Sequence, residues 1–182
     1  MNSKPGKLIR DHVPQLILAQ NLTPNIRTVT DPAEFRDRLG DKLREEAAEV
    51  ADALNASSDD TTAVVGELAD VTEVVHAILA VIGIEHASVE KARLANSIPQ
   101  YPDRLGQTLR EQARKADKVL NAPAGVFDTA AVVGKLADVM RVLDAIAAEV
   151  GVERDLIETA RIVKLGERGG FSQGIIWFDN AA

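Results

Sequence analysis

Acidic residues at helical spacing are the feature of this sequence best suited to chemistry. They form two groups: Glu45, Glu46 and Glu49, followed by Glu67 and Asp70. Because like charges three or four residues apart on a helix repel each other, such groups need an outside source of positive charge. A divalent cation is the natural candidate. The ligands would all be oxygens and the chain has no cysteine, so we expect Mg²⁺ or Mn²⁺ rather than structural zinc.

The positions of these acids around a helix separate inward-facing from outward-facing side chains. At about 100° per residue, Glu46 and Glu49 lie towards the apolar stripe of the first helix, whereas Glu45 lies almost opposite it. In the second helix, Glu67 falls within a wide apolar arc and Asp70 lies at its rim. A carboxylate among valines costs on the order of several kcal/mol unless it is neutralised or paired. We therefore expect a positive charge next to Glu67.

An ordinary solvated acidic face is the alternative interpretation. Such a face normally mixes basic residues with the acids at i,i+4, but residues 45–73 contain no Lys or Arg. Inward carboxylates on facing helices are also how helical bundles build metal sites. Both points favour a metal site. Its expected ligands are Glu46, Glu49, Glu67 and Asp70. Glu73 and His76 fall on other helix faces, and we expect them to be surface residues.

Composition predicts the elements that hold these residues. The 182-residue chain is 46% hydrophobic but only 3% aromatic, so we expect a core of aliphatic helix stripes and an all-α fold. Asp31 and Pro32 predict the start of the first acidic helix, which should run to about Asn55. Residues 57–60 form the predicted turn, and Gly83 ends the second acidic helix.

Charge and composition also argue against several classes of function. A net charge of −7 without a basic patch argues against nucleic acid as a partner, although it is compatible with a nucleotide carried with its metal. The absence of cysteine excludes disulfides and thiolate chemistry. The opening residues lack the apolar run of a signal peptide, and no run reaches the roughly 20 apolar residues of a membrane helix. We expect a cytoplasmic protein without a membrane partner.

The second half of the chain repeats the first. Residues 131–139 restate residues 63–71 with an offset of 68, and residues 109–113 restate residues 43–47 with an offset of 66. The pattern predicts a tandem duplication of one helical unit, with a two-residue insertion near Pro123.

The duplication predicts how the chain is organised. We expect one unit over residues 1–98, which carries the metal site, and a second, degenerate unit over residues 103–182. Each unit has more apolar helix face than it can cover alone, so the two should pack as a single globular domain. Association of two chains into a homodimer is left open.

The two units differ at the expected metal ligands. At the equivalent positions the second unit has Gln112, Lys115, Lys135 and Asp138. A lysine cannot share a site with a divalent cation without strong repulsion, so the second unit should not bind metal. Two hypotheses remain for Lys115 and Lys135. Either they are surface residues left by decay after duplication, or they help to hold an anionic substrate against the metal of the first unit.

Two further motifs flank the helical pattern. The chain opens with Lys-Leu-Ile-Arg-Asp-His-Val-Pro at residues 7–14, and Arg-Gly-Gly-Phe at residues 168–171 interrupts the last predicted helix. The apolar run at residues 175–178 is too short for a helix. We expect it to be an extended tail that docks on the bundle, with Trp177 as its anchor.

Together these motifs resemble the MazG-like, all-α nucleoside triphosphate pyrophosphohydrolases, a superfamily that includes phosphoribosyl-ATP pyrophosphohydrolase and the all-α dUTPases. The acidic pattern of residues 45–70 carries the resemblance. The opening and closing motifs are similar to those of a branch predicted to be house-cleaning pyrophosphatases. Single-copy members carry both flanking motifs around one unit, whereas this chain has the opening on the first unit and the closing on the second. Because members of the superfamily are usually dimers or tetramers, the resemblance implies that the two units form an internal pseudo-dimer.

The resemblance implies hydrolysis of a nucleoside triphosphate, most simply a non-canonical one, to a monophosphate and pyrophosphate. It implies that the four expected ligands bind Mg²⁺, with Mn²⁺ as an alternative. The implied catalytic residues are Glu45, which would help to position water, and Glu46 and Glu67. We expect Lys7, Arg10 and Arg168 to contact phosphates, the alternative being that Lys7 and Arg10 merely pair with surface acids.

Three other functions remain open from sequence. The chain could be a non-catalytic bundle that binds a nucleotide or a protein partner, or a purely structural bundle. Phosphoribosyl-ATP also remains open as the substrate.

Overall fold

The computed structural model describes residues 5–56, 61–95, 104–123 and 126–178. It is 71% helical with a small three-stranded sheet, so the predicted all-α class is confirmed. The helices are α1 (Val13–Ala19), α2 (Pro32–Asn55), α3 (Thr62–Ile82), α4 (His86–Ala95), α5 (Leu105–Leu120), α6 (Thr129–Glu149) and α7 (Arg154–Arg168). The strands are β1 (Lys7–Ile9), β2 (Ile26–Thr28) and β3 (Ile175–Trp177).

The two acidic helices, α2 and α3, begin and end for local reasons. The Asp31 side chain accepts a hydrogen bond from the Ala33 amide, and Pro32 occupies the first helical position, where no amide proton is needed. Helix α3 ends at Gly83, whose φ of 70° lies in the left-handed region. The helix bounds predicted from Asp31 and Gly83 are therefore confirmed. The turn predicted at residues 57–60 lies outside the described residues.

The two halves of the chain are interleaved. Helix α2 packs on α3 and on α5, and α5 packs on α6. The last helix of each half packs on a helix of the other half, since α4 packs against α6 and α7 packs against α3. The core between these helices consists of fully buried leucine, valine and isoleucine side chains, as the aliphatic composition predicted.

Two close contacts between the halves of the chain are equivalent when the two halves are exchanged. A Cβ added at Gly40 would collide with the Asp117 carboxylate, and one added at Gly106 would lie 2.9 Å from the Ala51 Cβ. Gly40 and Gly106 are 66 residues apart, as are Ala51 and Asp117. Such reciprocal contacts are typical of a twofold interface. They support the proposal of an internal pseudo-dimer. Part of the proposed boundary between the units, residues 98–103, lies outside the described residues.

The predicted C-terminal tail is the central strand of an antiparallel sheet with strand order β1-β3-β2. Lys7 pairs with Trp177, and Leu8 pairs with Ile176. The buried anchor is Ile176 rather than Trp177, because Ile176 is fully buried whereas Trp177 is only half-buried. Strands of three residues are too short to show an alternating pattern, so sequence periodicity could not predict this sheet.

Within the described residues, no helix is both long enough and apolar enough to cross a membrane.

Candidate functional site

Three of the four expected metal ligands come together between α2 and α3. Carboxylate oxygens of Glu46, Glu49 and Glu67 all lie within 4.8 Å of one another. The fourth, Asp70, lies one helical turn beyond Glu67 and lines the same cavity. Glu46 and Asp70 are buried, Glu67 is half-buried and Glu49 is exposed. The packing of α2 on α3 therefore places acids from both helices around one point.

These acids form one wall of a cavity of about 620 Å³, a size typical of small-molecule sites. The same cavity is lined by Lys7, Arg10, Glu45 and Arg168, all named from sequence. It is also lined by Lys42 and Lys164, which sequence reasoning missed. The opening and closing motifs thus meet the acidic pattern at a single cavity.

Asp70 is held by two cations from opposite ends of the chain. The Arg10 guanidinium forms an ion pair with Asp70, and Lys164 Nζ lies 2.6 Å from Asp70 Oδ2. Lys164 Nζ also donates to the Gly66 carbonyl at 2.8 Å. Because Lys164 lies on α7, the second half of the chain contributes directly to the cavity.

Lys42 partners the first acidic group. Its ammonium lies 2.6 Å from Glu46 Oε1 and 3.0 Å from Glu45 Oε1. Lys42 precedes Glu46 by four residues and lies just outside the 45–73 window that contains no basic residue, so an i,i+4 search in both directions would have found it. Through this contact Glu45, expected to face outward, lies at the cavity wall.

Within the part of the chain that the structure describes, these ion pairs do not satisfy every acidic oxygen of the cavity. Burial raises the pKa of Glu46 to about 7, with smaller upward effects from Asp70 and Glu49 and an opposing effect from Lys42. Burial likewise raises the pKa of Glu67, although Lys164 opposes it. Among the described residues, Glu46 Oε2 and Glu67 Oε2 are buried with no hydrogen-bond partner. Buried oxygens without partners are costly, and an all-oxygen donor set of this kind fits a hard divalent cation.

The opening and closing motifs bind each other through Asp11. Its carboxylate accepts hydrogen bonds from the Ser172 amide at 2.9 Å, the Ser172 hydroxyl at 2.8 Å and the Gln173 amide at 3.0 Å. Gly169 adopts a φ of 75°, and a Cβ there would lie 3.0 Å from the Asp11 Cβ. Arg10 also donates to the Gly169 carbonyl at 3.1 Å. These contacts hold Arg10 next to Asp70.

Two lysines expected near the substrate lie elsewhere. Lys115 is exposed on α5, and neither Lys115 nor Lys135 lines the cavity. Lys135 Nζ instead lies 3.0 Å from Asp138 Oδ2. Lys164 and Arg168 are the cations that the second half supplies here, and their positions depend on the crossing of α7 onto α3, which no local pattern indicates.

The expectation that Glu73 and His76 are surface residues is wrong. Glu73 is 6% exposed, and its Oε2 lies 2.5 Å from Arg161 Nη1 on α7. His76 is half-buried beside the His86 ring. A helical wheel of α3 alone places these residues outward. In the folded protein, α7 covers that face of α3. Glu73 and His76 also have the Glu-x-x-His spacing of di-iron bundles, but the Glu73 carboxylate is paired with Arg161.

Acid should destabilise the protein through His76. Burial, with Arg161 and His86 nearby, lowers the pKa of His76 from 6.5 to about 4, against weaker opposing effects from Glu158 and Glu90. The unfolded chain therefore binds this proton more readily, so the stability that His76 contributes is complete above about pH 6.5 and falls as the pH drops towards 4, whereas the raised pKa of Glu46 acts in the opposite direction over that range. We expect a loss of roughly 2 kcal/mol, with solvent screening of the partly exposed ring taken into account.

Urea unfolding from pH 7.5 to 4 measures this loss. The difference in unfolding free energy between His76→Gln and the wild type should change by about this amount over that range, whereas the exposed His12→Gln should leave the wild-type dependence unchanged. An unaltered slope in His76→Gln would show that other groups cause the acid sensitivity.

Comparison with known families agrees with this geometry. Residues 17–96 match the family model described as phosphoribosyl-ATP pyrophosphohydrolase. The first half of the chain is similar to this family. The family is part of the MazG-like superfamily, and it supports a pyrophosphohydrolase acting on a nucleotide as the general reaction class. No curated protein and no solved structure gives a significant match.

The matched segment covers only part of the cavity. It contains the acids and Lys42, whereas Arg10, Lys164 and Arg168 lie outside residues 17–96. The duplication is not part of the match, so it stays a prediction.

Proposed function

We propose that this protein is a Mg²⁺-dependent nucleoside triphosphate pyrophosphohydrolase that converts a non-canonical nucleotide to its monophosphate and pyrophosphate. One observation supports this most. Among the described residues, one buried carboxylate oxygen each on Glu46 and Glu67 has no hydrogen-bond partner, and both groups adjoin Glu49 in a cavity that also collects cations. Such a site leaves acidic oxygens for a metal ion and places cations next to it for an anionic substrate.

In this proposal Glu46, Glu49, Glu67 and Asp70 hold the metal ion. Bound Mg²⁺ would stabilise charge on the phosphoryl oxygens and lower the pKa of a bound water, and Mn²⁺ could do the same. Asp70 is already paired with Arg10 and Lys164. Of the four proposed ligands, Asp70 therefore brings the least unpaired negative charge to the metal ion.

The basic residues bind and orient the phosphates. Arg10 and Lys164 contact Asp70 at the wall of the cavity and Arg168 lines it, whereas the Lys7 ammonium, also in the cavity lining, lies beside the Trp177 ring. Charge-assisted hydrogen bonds from such groups are short and strong. Glu45, held by Lys42, lies close enough to Glu46 to orient the attacking water. Since Lys164 comes from α7, one chain supplies cations from both proposed units.

Phosphoribosyl-ATP is a second candidate substrate, favoured by the family match over residues 17–96. Its hydrolysis also releases pyrophosphate from a triphosphate chain. The same acids and cations would serve both reactions, so the distinction lies in the nucleoside end of the cavity.

The proposal is tested by measuring pyrophosphate release from purified protein. The panel should contain standard and modified nucleoside triphosphates and phosphoribosyl-ATP, each with Mg²⁺, with Mn²⁺ and with chelator. We expect release that requires the metal and is greatest for a modified nucleotide. Preference for phosphoribosyl-ATP would select the second candidate.

Thermal unfolding separates this proposal from its rivals. A real metal site stabilises the fold by mass action, by about 2.7 kcal/mol at one hundred times the dissociation constant. No change of midpoint in millimolar Mg²⁺ or Mn²⁺ would favour a purely structural bundle. Metal-dependent nucleotide binding in calorimetry without any product would favour a binding module.

A further inference from the structure

The cavity that holds the acids is also lined by apolar side chains. Among them are Val13 and Ile17 on α1, Leu22 in the following segment, and Trp177 on β3. These are three aliphatic side chains and one large aromatic ring. An anionic phosphate chain gains nothing from such a surface, whereas a flat heteroaromatic ring does.

The Trp177 ring is held in place by the sheet. Trp177 lies on the central strand and pairs with Lys7 on one side and Ile26 on the other. Lys7 Nζ lies 5.3 Å from the centroid of the indole ring, a distance at which the cation interacts with the ring face. The ring is only half-buried, so part of it remains open to the cavity.

The backbone distance between Trp177 and Arg10 suits a nucleotide. Arg10, which contacts Asp70, follows Lys7 by three residues, or about 10 Å at the strand rise of about 3.3 Å per residue. Trp177 lies opposite Lys7 in the register of the sheet. Along the backbone, the position of Trp177 is thus separated from Arg10, which contacts Asp70, by roughly the length of a nucleoside.

We infer that Trp177 is the stacking platform for the substrate base, and so a substrate-binding residue of the site; this inference rests on the proposed function. Val13, Ile17 and Leu22 offer no side-chain hydrogen bonds to the base edge. Stacking on an indole ring is tolerant of base identity because every base has a π face. The site therefore recognises that a base is present more strongly than it recognises which base.

Trp177 is the only tryptophan in the chain, so its fluorescence reports on this contact alone. The Glu67→Gln variant, chosen to prevent turnover, is titrated with Mg²⁺ and ATP, CTP or inorganic tripolyphosphate. Because Glu67→Gln could weaken metal binding, the same titrations are made on the wild type with Ca²⁺. We expect both nucleotides to quench the fluorescence, whereas tripolyphosphate binds in calorimetry without quenching. Nucleotide binding without quenching, or equal quenching by tripolyphosphate, would overturn the inference.

Two variants test the same contact through kinetics. Trp177→Ala should raise KM for nucleotides at least about tenfold, the effect of losing one stacked base, with kcat within a fewfold of the wild type. Trp177→Phe keeps an aromatic face and should retain most of the affinity. Circular dichroism checks that both variants keep the helical fold.

The outcomes for the inference and for the proposed function are separable. Metal-dependent pyrophosphate release with an unchanged KM in Trp177→Ala would overturn the stacking platform and leave the hydrolase intact. If no nucleotide yields pyrophosphate, the hydrolase fails. Quenching by nucleotides alone would then still support the platform, and its absence would still overturn it.

Discussion

Replacing Glu67 with Gln should lower the turnover number for pyrophosphate release by at least about 100-fold, the scale expected when a preorganised charge is removed from the reacting centre. Glu67 Oε2 is buried without a hydrogen-bond partner among the described residues, and burial raises the pKa of this carboxyl group. The amide has nearly the same shape but cannot supply the negative charge. Steady-state assays of pyrophosphate release at saturating Mg²⁺ measure the effect.

The loss should be specific to chemistry rather than to folding. Because Gln relieves a desolvated carboxylate, the metal-free thermal midpoint should stay the same or rise, while the increase caused by Mg²⁺ should disappear. Glu111→Gln is the matched control, since Glu111 is exposed and does not line the cavity. It should keep wild-type turnover. Wild-type rates in Glu67→Gln would remove this residue from the site.

Replacing Arg161 with Met should lower the free energy of unfolding by about 3 kcal/mol, the usual cost of leaving a buried charge without its partner. The Arg161 guanidinium lies 2.5 Å from the Glu73 carboxylate, and both side chains are almost fully buried between α3 and α7. For a chain of this length, the thermal midpoint should fall by roughly 10 °C. Urea unfolding and calorimetry measure the two quantities.

The proposed duplication offers a matched control. Arg93 precedes Arg161 by 68 residues, and it pairs with Glu90 and Asp144. Arg93→Met should cost only roughly 1 kcal/mol, because Glu90 keeps a second partner in Arg154 and Asp144 is more exposed than Glu73. Adding Glu73→Met to the Arg161→Met variant should restore most of the stability. Equal losses in both single variants would contradict this account.

The acidic part of the site could be predicted from sequence because it depends on local geometry. The helical period fixes where Glu46, Glu49 and Glu67 lie relative to the apolar stripe of the helix that carries each of them. Two helices that follow each other with a short connection usually pack together. The helix ends at Asp31 and Gly83 follow from side-chain capping and glycine conformation in the same way. The composition and the helical period of the apolar residues were enough to predict the all-α class.

The cationic part could not be predicted in the same way. Lys164 reaches Asp70, and Arg161 reaches Glu73, because α7 crosses from the second half of the chain onto α3. A helical wheel of α3 alone treats that face as open to solvent, which is why Glu73 was wrongly expected at the surface. Packing among the seven described helices determines which helix covers each face.

By itself, the sequence determined the helices, their caps, the apolar stripes and the acids that face inward, because each depends on residues within a few turns of one another. The tertiary structure alone decided which cations meet those acids and where the aromatic side chain of the cavity lies. Lys164 is 94 residues from Asp70, and β3 joins β1 from the opposite end of the chain. Contacts between residues so far apart in sequence depend on how the helices pack together, so a local pattern in the sequence cannot predict them.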